Sequence, residues 1–188
     1  MNMLKRRIEA SSDGLRLAML ISEPVGEPKG IVQIVHGMCE YIARYEDFID
    51  FLCGKGFIVC GNDHIGHGSS VNSEDDLGFF GDKNGWRYLV KDVVTLTRMM
   101  QERYASFPYY ILGHSMGSLV VRTTLAKYSE LYDGALILGT ISLRFGADAC
   151  LALIESTAKI KGKRFRSKAL DRMMFGMSNM KIEAPLVI

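Results

Sequence analysis

Tyr109-Tyr110-Ile111-Leu112-Gly113-His114-Ser115-Met116-Gly117-Ser118-Leu119-Val120-Val121 is the stretch whose reading decides the fold. Tyr109 to Leu112 is an apolar run of the kind that forms a buried strand. Leu119 to Ala126 reads as a helix. Between them Gly113-His114-Ser115-Met116-Gly117 has the Gly-x-Ser-x-Gly form of a nucleophile elbow, which lifts a serine hydroxyl above the end of a sheet. A side chain on Gly113 or Gly117 would crowd the neighbouring strand and helix. Average glycine and serine usage gives these three fixed positions by chance in about one chain in twenty of this length. The strand before and the helix after therefore carry the assignment, and Ser115 is the candidate nucleophile.

An absence is the next signal. All four histidines, His36, His64, His67 and His114, lie at or before the elbow. In the fold that uses this turn, serine, acid and histidine follow one another along the chain. The general base has no candidate in its usual place.

The surrounding sequence supplies a sheet for the elbow to sit on. Ile31 to Val35 and Phe57 to Cys60 are short, β-branched or apolar runs, as strands covered on both faces require. Ala135 to Leu138 is a third. Tyr45, Phe48, Ile49 and Leu52 fall at helical spacing and stop at Gly54 or Gly56. Trp86, Leu89, Val90, Val93, Leu96 and Met100 trace one face of a longer helix closed by Pro108. From Lys29 to Gly139 strands and helices alternate, which argues for a parallel sheet with helices on both faces. Upstream, Lys5 to Ser11 and Leu15 to Ser22 flank Asp13-Gly14, a two-residue hairpin signal. The second arm alternates as a half-buried antiparallel strand.

Composition narrows the function classes. The 188 residues are 48% hydrophobic and 23% charged, ordinary for about one globular domain. A net charge of +2 gives no basis for nucleic-acid binding. Cys39, Cys53, Cys60 and Cys150 show neither close pairing nor metal-ligand spacing. With no apolar run after Met1 to Arg7, they read as reduced thiols of a cytoplasmic protein. No stretch is long and apolar enough to span a bilayer.

Two loops join the elbow at the same end of the sheet. His36-Gly37-Met38-Cys39-Glu40 follows the Ile31 strand, where an oxyanion donor from the main chain belongs. The Met38 and Met116 N–H groups are the candidate donors, and the His36 imidazole reads as a structural group under the loop. Asp63-His64-Ile65-Gly66-His67-Gly68-Ser69 follows the Phe57 strand. Its alternating glycines suggest a shaped turn, so Asp63, Gly66, His67 and Gly68 are assigned to the architecture and no metal is expected. No cofactor is expected either.

These three motifs, with Arg44-Tyr45, occur in the order and approximate spacing of the monoacylglycerol lipase and lysophospholipase branch of the α/β-hydrolases. The chain resembles that branch, also called serine aminopeptidase-like, from the first hairpin to Gly139. The resemblance implies a mostly parallel doubly wound sheet with an N-terminal antiparallel hairpin, and a helical lid inserted after the sixth strand. It also implies hydrolysis of small lipid-like carboxyl esters through Ser115, with Met38 and Met116 as oxyanion donors. His36, Gly37, Gly113, His114 and Gly117 become motif residues. Tyr41 departs from the branch, which often carries histidine there, and the part holding the family's acid and histidine is missing from the sequence.

The expected division is 1–143 for the N-terminal part of the core and 144–188 for a partial lid. Met173, Met174, Phe175, Met177 and Met180 suit a lid, since methionine adapts to irregular apolar ligands. The basic run from Lys159 to Arg172 reads first as a solvated surface and, more weakly, as a peripheral contact with anionic lipid. Ala135 to Leu138 would be an unprotected sheet edge open to self-association. A catalytically incompetent remnant of the fold is the alternative to an ester hydrolase.

Overall fold

The structure, a computed structural model, describes residues 2–9, 16–140, 147–169 and 172. The chain forms two compact units, Met1–Ile141 and Ser142–Ile188. In the first, strands β1 (Asn2–Glu9), β2 (Arg16–Glu23), β3 (Gly30–Val35), β4 (Phe57–Asn62), β5 (Tyr109–His114) and β6 (Gly134–Leu138) form one sheet in the order β1-β2-β4-β3-β5-β6. Among the described residues, three α-helices belong to it, α1 (Glu46–Gly54), α2 (Gly85–Arg103) and α3 (Met116–Tyr128). The pairs β4–β3, β3–β5 and β5–β6 are parallel, while β1–β2 and β2–β4 are antiparallel. This is the expected mostly parallel doubly wound sheet with an antiparallel hairpin at its N-terminal end.

The chain leaves β3 towards β4 on one side, then returns to place β5 on the other. That reversal opens a crevice at the carboxyl ends of β3 and β5, where open α/β sheets bind ligands. The glycine loop and the elbow both emerge there.

Side-chain alternation builds a core on each face. Val32, Ile34, Val59 and Leu112 turn towards Ile49 and Cys53 of α1, together with Leu20 of β2. Ile31, Ile58, Cys60 and Tyr109 meet Leu96 and Met100 of α2. Val35 and Ile111 meet Leu89, Val90 and Val93 of α2 and Val120 and Val121 of α3. Complete burial of Ile49 contributes about 2 kcal/mol. The buried Gln33 in the central strand is satisfied. Its Nε2 donates to the Val93 carbonyl at 3.1 Å and its Oε1 accepts the Tyr109 hydroxyl at 2.7 Å.

Three expectations need correction. The hairpin pairs Glu9 with Arg16 and Asn2 with Glu23, a register shifted by two residues from a two-residue Asp13-Gly14 turn. The turn itself lies outside the described residues. A two-residue shift keeps each side chain of β2 on its own face, so the pattern alone could not choose between registers. Second, β2 is not half-buried: Leu20 and Ser22 are as enclosed as Leu17, Met19 and Ile21. β2 is an interior strand, with α1 covering the face that the alternation assigned to solvent. Third, Trp86 is 49% exposed at the first turn of α2, with the Arg87 guanidinium over its ring.

β6 lies at the edge of the sheet, and Leu136 and Leu138 are nearly half exposed. In the second unit, α4 (Ala147–Lys161) ends at Gly162, whose φ of 90° and N–H bond to the Ala158 carbonyl at 3.0 Å close the helix. Lys159, Lys161, Lys163, Arg164, Arg166, Lys168 and Arg172 are all exposed, as are Leu151, Leu153 and Ile160. The methionine-rich stretch lies outside the described residues. Among the described residues no helix is long and apolar enough to cross a membrane.

Candidate active site

Ser115 sits at the summit of the β5–α3 turn with φ 51° and ψ −117°. A non-glycine residue in that region costs about 1–3 kcal/mol and persists only where its surroundings enforce it. The Ser115 N–H donates to the Leu138 carbonyl of β6 at 2.9 Å, and the Ser115 carbonyl accepts the Ser118 N–H at 3.0 Å. The turn is thus tied to the sheet on one side and to α3 on the other.

The flanking glycines are required by close approach. A Cβ on Gly113 would stand 2.6 Å from the Gly117 carbonyl oxygen and 2.8 Å from Ser118 Cα. A Cβ on Gly117 would run into the Val35 carbonyl at the end of β3. This contact draws the start of α3 against the loop that begins at His36. Gly37 completes the approach: a Cβ there would lie 3.1 Å from Ser115 Cβ and 3.3 Å from the His114 carbonyl oxygen.

His36 lies fully buried beneath that loop. Its Nε2 accepts the His64 N–H at 2.9 Å, which leaves the ring proton on Nδ1. Nδ1–H in turn donates to the Gly37 carbonyl at 2.8 Å. The Gly37–Met38 peptide is trans, so the Met38 N–H points opposite to that carbonyl, away from the His36 ring. Met116 is the first residue of α3, where a backbone N–H has no intrahelical acceptor and the helix dipole favours negative charge. The loop after β3 and the start of α3 thus meet at the nucleophile turn, where Gly37 packs against Ser115.

His64 Nε2–H donates to the His36 carbonyl at 3.1 Å, and His67 Nδ1–H donates to the Ile65 carbonyl at 3.2 Å. The three rings pack with centroids 4.2 to 6.2 Å apart, and His67 stacks on Phe80. Burial keeps all three neutral. It pushes His36 down to about 4 against the opposing pull of the Gly37 carbonyl. It also lowers His64, helped by repulsion from His36 and His67, and it lowers His67. The His64 Nδ1 atom is buried without a partner among the described residues.

Asp63 organises the neighbouring loop. Its two oxygens accept the Ile42 and Ser69 N–H groups, each at 2.8 Å. Gly66 and Gly68 take φ of 74° and 50° in that loop, and a Cβ on Gly68 would collide with the Asp63 carboxylate. The carboxylate is committed to backbone amides, which is a loop-shaping arrangement.

Sequence reasoning missed Glu40 and Tyr45 as site residues. Glu40 Oε1 accepts the Gly37 N–H and the Tyr45 hydroxyl, the latter at 2.8 Å. It also lies 2.9 Å from His114 Nδ1. Burial alone would raise the Glu40 carboxyl, but donors from His114, Tyr45 and Gly37 outweigh it and hold it below its usual range. The Tyr45 hydroxyl is pushed up by burial and by the adjacent Glu40. A glutamate three residues after a loop glycine was the available signal, whereas its convergence with His114 spans the whole domain. Glu40, Tyr45 and His114 line a pocket of about 390 Å³ with Phe48, Leu112 and Leu138. Among the described residues no imidazole hydrogen-bonds the Ser115 hydroxyl.

Known proteins resemble this chain in sequence and in fold. The profile of the family described as serine aminopeptidase, S33, matches residues 26–182. Human monoglyceride lipase is 30% identical over 133 residues, covering 71% of this chain and 42% of the lipase. Monoacylglycerol lipase of Mycolicibacterium smegmatis is 28% identical over 155 residues, 82% of this chain and 52% of that protein. The chain thus spans about half the length of these curated relatives. The crystal structure of a highly thermostable carboxyl esterase from Bacillus coagulans, in complex with glycerol, superposes with a TM-score of 0.83 at 28% identity. That alignment covers 100% of this chain and 60% of the esterase. Elbow, glycine loop, sheet order and family profile agree: the chain belongs to the serine aminopeptidase S33 family, in the monoacylglycerol lipase-like branch of the α/β-hydrolases.

Proposed function

We propose that the protein is a serine hydrolase of small lipid-like carboxyl esters, of the monoacylglycerol and lysophospholipid type. One observation carries the reading: Ser115 is held at φ 51° with Gly37 packed against it. The strained turn lifts the hydroxyl, and in this reading the Met38 and Met116 amides receive the carbonyl oxygen. Ser115 Oγ attacks the acyl carbon, and the electron pair moves to the carbonyl oxygen, where the two N–H groups hold the negative charge. Donors of this kind supply about 3 to 4 kcal/mol each to the transition state. The tetrahedral intermediate collapses, the alcohol leaves with a proton, and water then releases the acid from the acyl-enzyme.

The proton leaving Ser115 needs an acceptor. Family order places that histidine after the serine, and no histidine follows Ser115 in the 188 residues. These residues by themselves therefore retain only the binding and oxyanion contribution, roughly 10³ to 10⁴ over water in comparable enzymes lacking a triad member. The second reading is a remnant that keeps the fold without turnover. The similarity to a monoglyceride lipase and a carboxyl esterase supports the ester class. The exposed basic side chains after α4 support a peripheral contact with anionic lipid.

Turnover of a short-chain p-nitrophenyl ester by the purified chain, beside Ser115→Ala, separates the two readings. Serine-dependent hydrolysis above background supports the hydrolase. Equal rates for both proteins support the remnant.

A further inference from the structure

Gly37 is held through both of its peptide groups. Its carbonyl accepts His36 Nδ1–H at 2.8 Å and its N–H donates to Glu40 Oε1. A Cβ on Gly37 would meet Glu40 Oε1 at 2.6 Å and Ser115 Cβ at 3.1 Å, so a side chain there would push the carboxylate off the Gly37 N–H. Glycine is also the residue with the most backbone freedom. The direction of the Met38 amide therefore depends on what tethers Gly37, and sterics alone do not fix it.

The Glu40 tether reaches well beyond its own loop. The oxygen that takes the Gly37 N–H also accepts the Tyr45 hydroxyl at 2.8 Å and lies 2.9 Å from Nδ1 of His114, the residue before the nucleophile. The Glu40 side chain is only 9% exposed, and the Arg44 guanidinium stands 3.8 Å from its other oxygen. The three donors thus do most of the work of holding the charge. Bonds to an ionised acceptor are about twice as strong as neutral ones.

We propose that Glu40 is a positioning residue, whose carboxylate locks the oxyanion loop to the nucleophile turn by binding the Gly37 N–H, the Tyr45 hydroxyl and the His114 imidazole on one oxygen. The proposal rests on the reading of Ser115 as nucleophile and Met38 as oxyanion donor. Glu40 acts on the His36–Gly37 peptide, while His36 Nδ1–H holds the carbonyl of the following Gly37–Met38 peptide, and the two tethers together keep the Met38 amide aimed when the acyl carbonyl becomes an oxyanion.

The test compares the 188-residue chain with its Glu40→Gln, Glu40→Ala and Tyr45→Phe variants. ¹⁵N NMR follows the Gly37 amide and the His114 Nδ1 resonance, and a fluorophosphonate probe reports the rate of Ser115 labelling. Glu40→Ala is expected to shift both resonances. It should also slow labelling at saturating probe about tenfold, a fraction of the 10² to 10³ that outright loss of a donor costs. The probe concentration for half-maximal rate should stay within about twofold, because the probe's approach is untouched. Glu40→Gln keeps an acceptor oxygen and should recover part of the rate. If Glu40→Ala fails to fold, Glu40→Gln and Tyr45→Phe carry the same comparison.

Unchanged Gly37 and His114 resonances in every folded variant would overturn the proposal. So would a labelling loss equal in Glu40→Gln and Glu40→Ala that tracks thermal stability, which marks a purely structural role. Wild-type chain with no label on Ser115 would instead overturn the hydrolase reading. The two resonances would still decide whether Glu40 joins the loop to the turn.

Discussion

The Ser115 N–H donates to the Leu138 carbonyl at 2.9 Å. The β5–β6 ladder therefore runs one bond past the end of β5 and into the nucleophile turn. Amide exchange should show this coupling: the Ser115 N–H should exchange at the rate of the β5–β6 ladder amides, far slower than an exposed turn. Fast exchange at Ser115 beside a protected ladder would show that β6 does not brace the turn.

Glycine substitutions should separate close approach from open space. Gly117→Ala drives a methyl into the Val35 carbonyl and is expected to destabilise by about 1 to 3 kcal/mol or more. Gly54→Ala, at the end of α1 with nothing within 4 Å of the added carbon, should stabilise by about 0.5 to 1 kcal/mol. Urea denaturation measures both.

Acid should unfold the protein through its buried imidazoles. Their folded pKa values lie below the unfolded 6.5, with His36 at about 4. The unfolded chain then binds more protons, so the stabilisation is complete above 6.5 and is lost as pH falls from there towards 4. For His36 alone the loss is about 3 kcal/mol. The Glu40 carboxyl, held below its usual 4.5 despite burial, adds a further loss at lower pH. Chemical denaturation from pH 7.5 to 4.5 should show stability falling through this window, and His36→Asn should flatten the slope.

The β6 edge should drive the chain to associate. Leu136 and Leu138 are 46% and 45% exposed on a strand that, among the described residues, pairs with β5 alone. Leu136→Lys places a charge on that edge and is expected to lower self-association, read by sedimentation velocity. A monodisperse wild-type monomer at tens of micromolar would contradict the expectation.

The sheet was legible because its signals are local. Ile31 to Val35, Phe57 to Cys60 and Tyr109 to Leu112 are unbroken apolar runs, and the observed strands β3, β4 and β5 begin within a residue of each. Gly113 and Gly117 announced a close approach that the backbone carbonyls of Gly117 and Val35 enforce. What escaped depends on partners distant in sequence. β2 alternates like a surface strand, and only the packing of Leu20 with α1 residues buries its second face. The Glu40–Tyr45–His114 cluster joins residues 74 and 69 positions apart, a convergence that no spacing rule encodes. The hairpin register differs by two residues because such a slip leaves every side chain on its own face.

Intact-mass analysis after prolonged fluorophosphonate treatment, with peptide mapping of the adduct, tests the central claim most directly. The account predicts a single slow adduct on Ser115, absent from Ser115→Ala. Label on another residue, or none on a folded chain, would contradict it.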